Sequence, residues 1–156
     1  VELEHRQRGE GQQLAAAVVA RVGSDVTLVC YGGMVQTALA AADAAELEGT
    51  SIEVVDIRSL APIDFATVTR SVEKTGRLVI THEAAESVGL GAEIAAVVTE
   101  RCFSVLEQPP VRVTGFDIPF PPSKLEKYHI PDLDRILDGV DRVLERPNSL
   151  SVRGAN

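Results

Sequence analysis

The chain has 156 residues, of which 45% are hydrophobic and 24% charged. That is the composition of one globular domain with its own core, and it excludes a disordered chain. The 15 Lys and Arg against 23 Asp and Glu give a formal net charge of −8. This excludes the basic footprint of a nucleic-acid binder and disfavours an anionic membrane surface.

No apolar run reaches the ~18 residues that a membrane-crossing helix needs. Cys30 and Cys102 lie far apart in apolar segments, as buried thiols do, and no Cys/His cluster offers a zinc site. The expected setting is reducing and cytoplasmic.

Residues 1–13 are polar, charged and contain two glycines, which predicts a flexible tail or linker remnant before a domain spanning 14–146. Residues 17–22 read as a short strand, and Gly23-Ser24-Asp25 as a turn. The β-branched run 26–31 predicts a strand covered on both faces. Gly32-Gly33 breaks it. From Met34 to Glu48 the period is helical, with Val35, Ala38, Leu39, Ala42 and Ala45 on one face and Gly49 as the stop.

Residues 51–57 return to strand. Asp64 is placed to cap a helix carrying Phe65, Val68 and Val72, which Gly76 ends. A strand at 78–81, a loop from His82 to Gly91 and a helical face of Ile94, Val97, Val98, Cys102 and Val105 follow, closed by Pro109-Pro110. A last strand covers 111–114. Prolines 119, 121 and 122 stiffen the next connection. Asp132 is placed to cap a final helix with Leu133, Ile136, Leu137, Val140 and Leu144 inward, and 147–156 is expected to be a flexible tail.

Alternating strands and helices imply a three-layer α/β/α domain with a mostly parallel five-stranded sheet. The three-residue link after the first strand cannot make a parallel crossover, so that strand runs antiparallel or leaves the sheet. In such folds ligands bind beyond the carboxyl ends of the strands. Attention therefore falls on Tyr31-Gly32-Gly33, Arg58-Ser59-Leu60, His82-Glu83 and Gly115-Phe116-Asp117.

Each of these has two readings. Gly32-Gly33 could offer backbone N–H groups to an anion, or be a tight turn that glycine alone fits. His82 with Glu83 and Glu86 could act as a general base or metal ligand, or tie down a strand end. Asp56 and Arg58 could anchor a carboxylate, or form a structural ion pair. Phe116, Ile118 and Phe120 could form an uncovered apolar patch, or close the edge of the core. No G-x-G-x-x-G, P-loop, H-E-x-x-H or G-x-S-x-G pattern is present.

Six strings in register resemble a known family. Gly23 to Gly32, Val54-Val55-Asp56-Ile57-Arg58-Ser59-Leu60-Ala61-Pro62-Ile63-Asp64, Glu73-Lys74-Thr75-Gly76-Arg77-Leu78-Val79, Thr81-His82-Glu83-Ala84, Gly89-Leu90-Gly91-Ala92-Glu93-Ile94-Ala95 and Gln108-Pro109-Pro110-Val111-Arg112-Val113-Thr114-Gly115 follow one another. They are similar to the C-terminal transketolase-like domain of beta subunits of 2-oxo acid dehydrogenases. The His82-Glu83-Ala84 segment and the Phe120-Pro121-Pro122…Leu125-Glu126 ending look most like the branched-chain enzymes.

The resemblance implies a sheet of order 1-3-2-4-5 with strand 1 antiparallel. It implies a parent oxidoreductase that decarboxylates a branched-chain 2-oxo acid or pyruvate with thiamine diphosphate and Mg²⁺, and passes the acyl group to a lipoyl arm. It places the catalytic and cofactor-binding positions outside this chain, so the fragment alone is expected to be inactive, to bind neither cofactor and to hold no metal. The implied partners are the alpha subunit, a second beta subunit in a heterotetramer of two alpha and two beta chains, and the subunit-binding domain of a dihydrolipoyl acyltransferase. Glu107, before the Gln108-Pro109-Pro110 turn, is the candidate docking carboxylate. The alternatives are the same domain in a deoxyxylulose-phosphate synthase, or a stand-alone anion- or nucleotide-binding module.

Overall fold

A computed structural model describes residues 16–144. The predicted tails at 1–13 and 147–156, and the outer limits of the predicted domain, lie outside the described residues. The strands are β1 (Val18–Arg21), β2 (Val26–Cys30), β3 (Ile52–Asp56), β4 (Leu78–Ala85) and β5 (Val111–Gly115). The helices are α1 (Met34–Leu47), α2 (Phe65–Thr75), α3 (Leu90–Cys102) and α4 (Leu133–Leu144), with a 3-10 turn at Glu126–Tyr128.

The five strands form one sheet in the order β1-β3-β2-β4-β5. β2 runs parallel to β3 and β4, and β4 parallel to β5, while β1 runs antiparallel to β3. The short link, four residues from Val22 to Asp25, makes this possible by carrying the chain out of β1 and back through β2 in the opposite direction, with β3 later inserted between them. Gly23 is required in that link, because a Cβ there would lie 2.2 Å from the Ile52 backbone carbon.

Side-chain alternation along the strands divides the core in two. Val26, Leu28, Cys30, Ile52, Val54 and Val79 face α1 and α4, and meet Ala38, Ala42, Ile136 and Val140. Val29, Val55, Leu78 and Ile80 face α2 and α3, and meet Val68, Val72, Ile94 and Val98. Alanines at 38, 41, 42 and 45 let α1 approach the sheet closely.

The second face also carries a buried polar brace. Glu53 on β3 is 3% exposed and accepts from Ser71 Oγ at 2.5 Å, from Lys74 Nζ and from the Gly23 N–H at 3.3 Å. Thr27 Oγ1 bonds Ser71 and Thr75 at 2.8 and 2.7 Å. Burial pushes the Glu53 carboxyl upward, but its donors outweigh that and hold it below the ordinary value of 4.5.

Two predicted elements need their limits corrected. β4 continues to Ala85, beyond the expected 81, because β5 pairs with it through His82↔Thr114 and, after an irregularity, Ala85↔Gly115. α3 begins at Leu90 inside the predicted loop and ends at Cys102, well before Pro109-Pro110. Val105 therefore lies past the helix, 39% exposed. The chain leaves α3 there because Val105 and Leu106 both donate to the Cys102 carbonyl, and the Glu107 N–H donates to the Gly76 carbonyl. α2 keeps its predicted limits. The Asp64 carboxylate accepts from the Thr67 N–H at 3.1 Å, and Gly76 closes the helix at φ +70°.

Candidate functional site

The carboxyl ends of the strands gather most of the polar residues singled out above. His82, on β4, is fully buried. Its Nε2 accepts the Gly91 N–H at 3.1 Å, which fixes the proton on Nδ1, and Nδ1 donates to the Ala84 carbonyl at 3.1 Å. The ring thus satisfies a free N–H in the first turn of α3 and locks the end of β4. Burial, the largest influence, lowers its pKa below 6.5. With both nitrogens committed to backbone, His82 has no lone pair for a substrate or metal.

The same ring accounts for the glycines downstream. A Cβ on Gly91 would lie 2.6 Å from His82 Nε2, and one on Gly89 would lie 2.3 Å from the Ala85 carbonyl and 2.8 Å from His82 Cε1. The Thr81-His82-Glu83-Ala84 and Gly89-Leu90-Gly91 strings are therefore one structural device. Tyr31 at the end of β2 stacks on the ring, with centroids 6.0 Å apart.

Gly32-Gly33 leads into α1 with Gly32 at φ +60°, a conformation suited to glycine. A Cβ on Gly33 would meet Glu83 Oε1 at 2.7 Å. A carboxylate thus already lies beside this helix N-terminus, so the site does not suit a diphosphate. Asp56 and Arg58 form a loose pair at 3.7 Å, and Asp56 Oδ1 also accepts the Arg58 N–H at 3.1 Å, fixing Arg58 at φ +54°. Among the described residues, no group of three His, Cys, Asp or Glu side chains is placed to hold a metal. These residues do not fit thiamine diphosphate with Mg²⁺, and no chemical step is assigned to them.

Beyond β4 and β5, the loops brace one another. Asp117 accepts from the Ser87 N–H at 2.9 Å and from Ser87 Oγ at 2.5 Å. Arg112 donates to the Glu86 carbonyl and carboxylate at 2.9 and 3.0 Å. A charged cleft of about 480 Å³ runs beside β5 and α4, but Arg135 within it is held by the carbonyls of Thr114 and His129.

The opposite end of the sheet is different. Glu107 pairs with Arg77 across the α2–β4 turn, and its side chain is 55% exposed. Beside it opens a groove of about 500 Å³ formed by Phe103, Leu106, Glu107 and Pro109 among others. Phe103 is 77% exposed. Sequence reasoning singled out Glu107 but missed Phe103, whose exposure depends on α3 ending one residue earlier.

Known proteins resemble this chain in sequence and in fold. The model of the transketolase C-terminal domain matches residues 15–136. The pyruvate dehydrogenase E1 component subunit beta of Leifsonia xyli subsp. xyli is 58% identical over 131 residues, covering 84% of this chain and 39% of that protein. The 3-methyl-2-oxobutanoate dehydrogenase subunit beta of Mycobacterium tuberculosis is 52% identical over 132 residues, covering 84% and 38%. Among solved structures, a split gene transketolase described as an inactive beta4 tetramer superposes with TM-score 0.71 at 34% identity, covering 84% of this chain and 42% of that one. The chain spans about two-fifths of the length of these relatives. It belongs to the transketolase C-terminal domain family.

Proposed function

We propose that this chain serves as the assembly and partner-docking domain of the beta subunit of a thiamine diphosphate-dependent 2-oxo acid dehydrogenase. The observation that carries this reading is the 58% and 52% identity, over almost the whole described domain, to beta subunits named for pyruvate and for 3-methyl-2-oxobutanoate. The substrate is accordingly pyruvate or a branched-chain 2-oxo acid. Such relatives do not favour a deoxyxylulose-phosphate synthase or a stand-alone anion-binding module, and Glu83 beside Gly33 argues against the latter on electrostatic grounds.

In this reading thiamine diphosphate and Mg²⁺ belong to parts of the enzyme outside this chain. The alpha subunit and a second beta subunit complete the heterotetramer, in a reducing cytoplasmic setting. The acyltransferase's subunit-binding domain docks at the Glu107 corner. An exposed phenylalanine beside an acidic rim suits a partner that presents a cation next to an apolar side chain. Glu107 must exchange Arg77 for that cation, so binding weakens as salt rises.

Titration calorimetry against the subunit-binding domain of the matching acyltransferase, at low and high salt, tests this. Salt-sensitive binding that Phe103→Ala and Glu107→Ala both weaken is expected. Salt-sensitive binding that neither variant affects would move docking elsewhere on the chain. Absence of binding at every salt concentration would leave assembly alone as the domain's role.

A further inference from the structure

The Glu107 corner carries a cation of its own. Arg77 follows the Gly76 that closes α2, and both terminal nitrogens of its guanidinium are engaged. Nη1 donates to the Asp25 carbonyl at 3.1 Å, and Nη2 donates to Glu107 Oε2. The two partners differ in kind. Asp25 offers a backbone carbonyl in the turn between β1 and β2. Glu107 offers a carboxylate at the edge of the groove that holds Phe103. The Arg77 side chain is 22% exposed and the Glu107 side chain 55%.

Glu107 does not need Arg77 to stay in place. Its N–H donates to the Gly76 carbonyl at 2.9 Å. Its side chain crosses the open face of Gly76, where a Cβ would lie 3.0 Å from Oε1 and 3.2 Å from Cγ. The backbone of the α2–β4 turn thus seats the carboxylate. Arg77 in turn keeps its bond to Asp25 when it gives up Glu107. An ion pair this exposed contributes little and opens readily. Lys74 and Glu53 show the opposite case. There the carboxylate is 4% exposed and also accepts from Ser71 and Gly23, so removing the cation strands a buried charge. Removing Arg77 leaves Glu107 in water.

We propose that Arg77 is an internal competitor at the docking corner. It occupies on Glu107 the place that a guanidinium or ammonium group of the partner takes over, and so limits the partner's affinity. The inference rests on the docking reading above. Two electrostatic effects produce the limit. Docking breaks one ion pair for the one it makes at Glu107, which cancels part of the gain. The displaced guanidinium also stays tied to Asp25, close to the incoming cation, and like charges at that range repel.

The test is calorimetric titration of the acyltransferase's subunit-binding domain into this chain and its variants. Arg77→Met keeps an unbranched side chain and removes the competing charge. It should tighten binding by about two- to fivefold at low salt, the worth of one exposed ion pair, and make binding fall more steeply as salt rises. Arg77→Gln, neutral but still able to donate a hydrogen bond, should tighten it too. Arg77→Lys keeps the charge and should bind as the unaltered chain does. In a Glu107→Ala background, Arg77→Met should change nothing.

Three results overturn the proposal. They are neutral variants that bind no tighter than the unaltered chain, tightening that Arg77→Lys reproduces, and tightening that survives the loss of Glu107. The docking reading has its own point of failure, unchanged affinity in Glu107→Ala, and this inference falls with it. Affinity lost in Glu107→Ala but not gained in Arg77→Met and Arg77→Gln keeps the docking reading and sinks this one alone. Absence of binding by the chain and by both neutral variants overturns both.

Discussion

His82 and Glu107 lie at opposite ends of the sheet and treat their polar atoms in opposite ways. His82 is sealed from solvent, with one ring nitrogen accepting the Gly91 N–H and the other donating to Ala84. Glu107 keeps more than half of its side chain in water and meets a single cation, Arg77, beside the exposed Phe103 ring. The carboxyl rim is where an α/β fold usually places its chemistry. Here its histidine and glycines hold a helix onto a strand. The exposed acidic and aromatic side chains, Glu107 and Phe103, are at the amino end. Residue type and position along the strand alone would have ranked the two corners the other way.

The sharpest way to break this contrast is His82→Ala. It removes a buried ring and leaves the Gly91 N–H without its acceptor, so a loss of about 3 kcal/mol is expected, or roughly 6–12 °C in Tm. Calorimetric melting checks it. A variant of unchanged stability would mean that His82 is not structural and would reopen a catalytic role.

A second carboxylate sharpens the comparison from within the amino end. Glu53, like Glu107, faces one basic side chain, but it is buried and also accepts from Ser71 and Gly23. Glu53→Gln should cost about 2 kcal/mol in urea denaturation, because a buried bond network loses its charge and its best acceptor. The value is a difference between two folded networks, with Lys74 free to turn outward.

Acidity separates the corners without mutating both. The folded state holds His82 with a pKa below 6.5, so the unfolded chain binds the proton more readily. Stability from this residue is complete above pH 6.5 and falls as pH drops through that value toward the depressed folded one. The urea midpoint should decline between pH 7 and 5.5, and His82→Gln should flatten the decline. An equally steep decline in the variant would assign the proton uptake to another group.

The smallest effect belongs to Glu107→Ala. An exposed ion pair contributes little, so stability should change by less than about 0.5 kcal/mol. Its consequence should appear in partner titration instead. A loss of stability as large as that from Glu53→Gln would make Glu107 a brace and remove the basis for a docking role.

Much of the scaffold is already implicit in local chemistry. The β-branched runs at 26–30 and 52–56 form strands because both of their faces are covered, and Asp64 and Gly76 delimit α2 by capping. Asp132 likewise caps α4, accepting the Arg135 N–H at 2.9 Å. Less legible were the start of α3 and the polar lining of α2. Gly89 and Gly91 read as loop, since glycine disfavours helices, until the His82 ring is seen to fill the space their missing Cβ atoms leave. Ser71 and Thr75 turn inward because Glu53 and Thr27 meet them from other strands.

By itself the amino-acid sequence determined the order of strands and helices and the family, since these depend on periodicity and strings of neighbouring residues; link length left the first strand antiparallel or outside the sheet, and the pairing with β3 decided it. Only the tertiary structure decided what the candidate residues do. Whether a histidine is a base or a brace depends on what lies within 3 Å of its ring nitrogens, and those groups arrive from elsewhere in the chain. Whether a phenylalanine is core or contact depends on where a helix ends and what covers it.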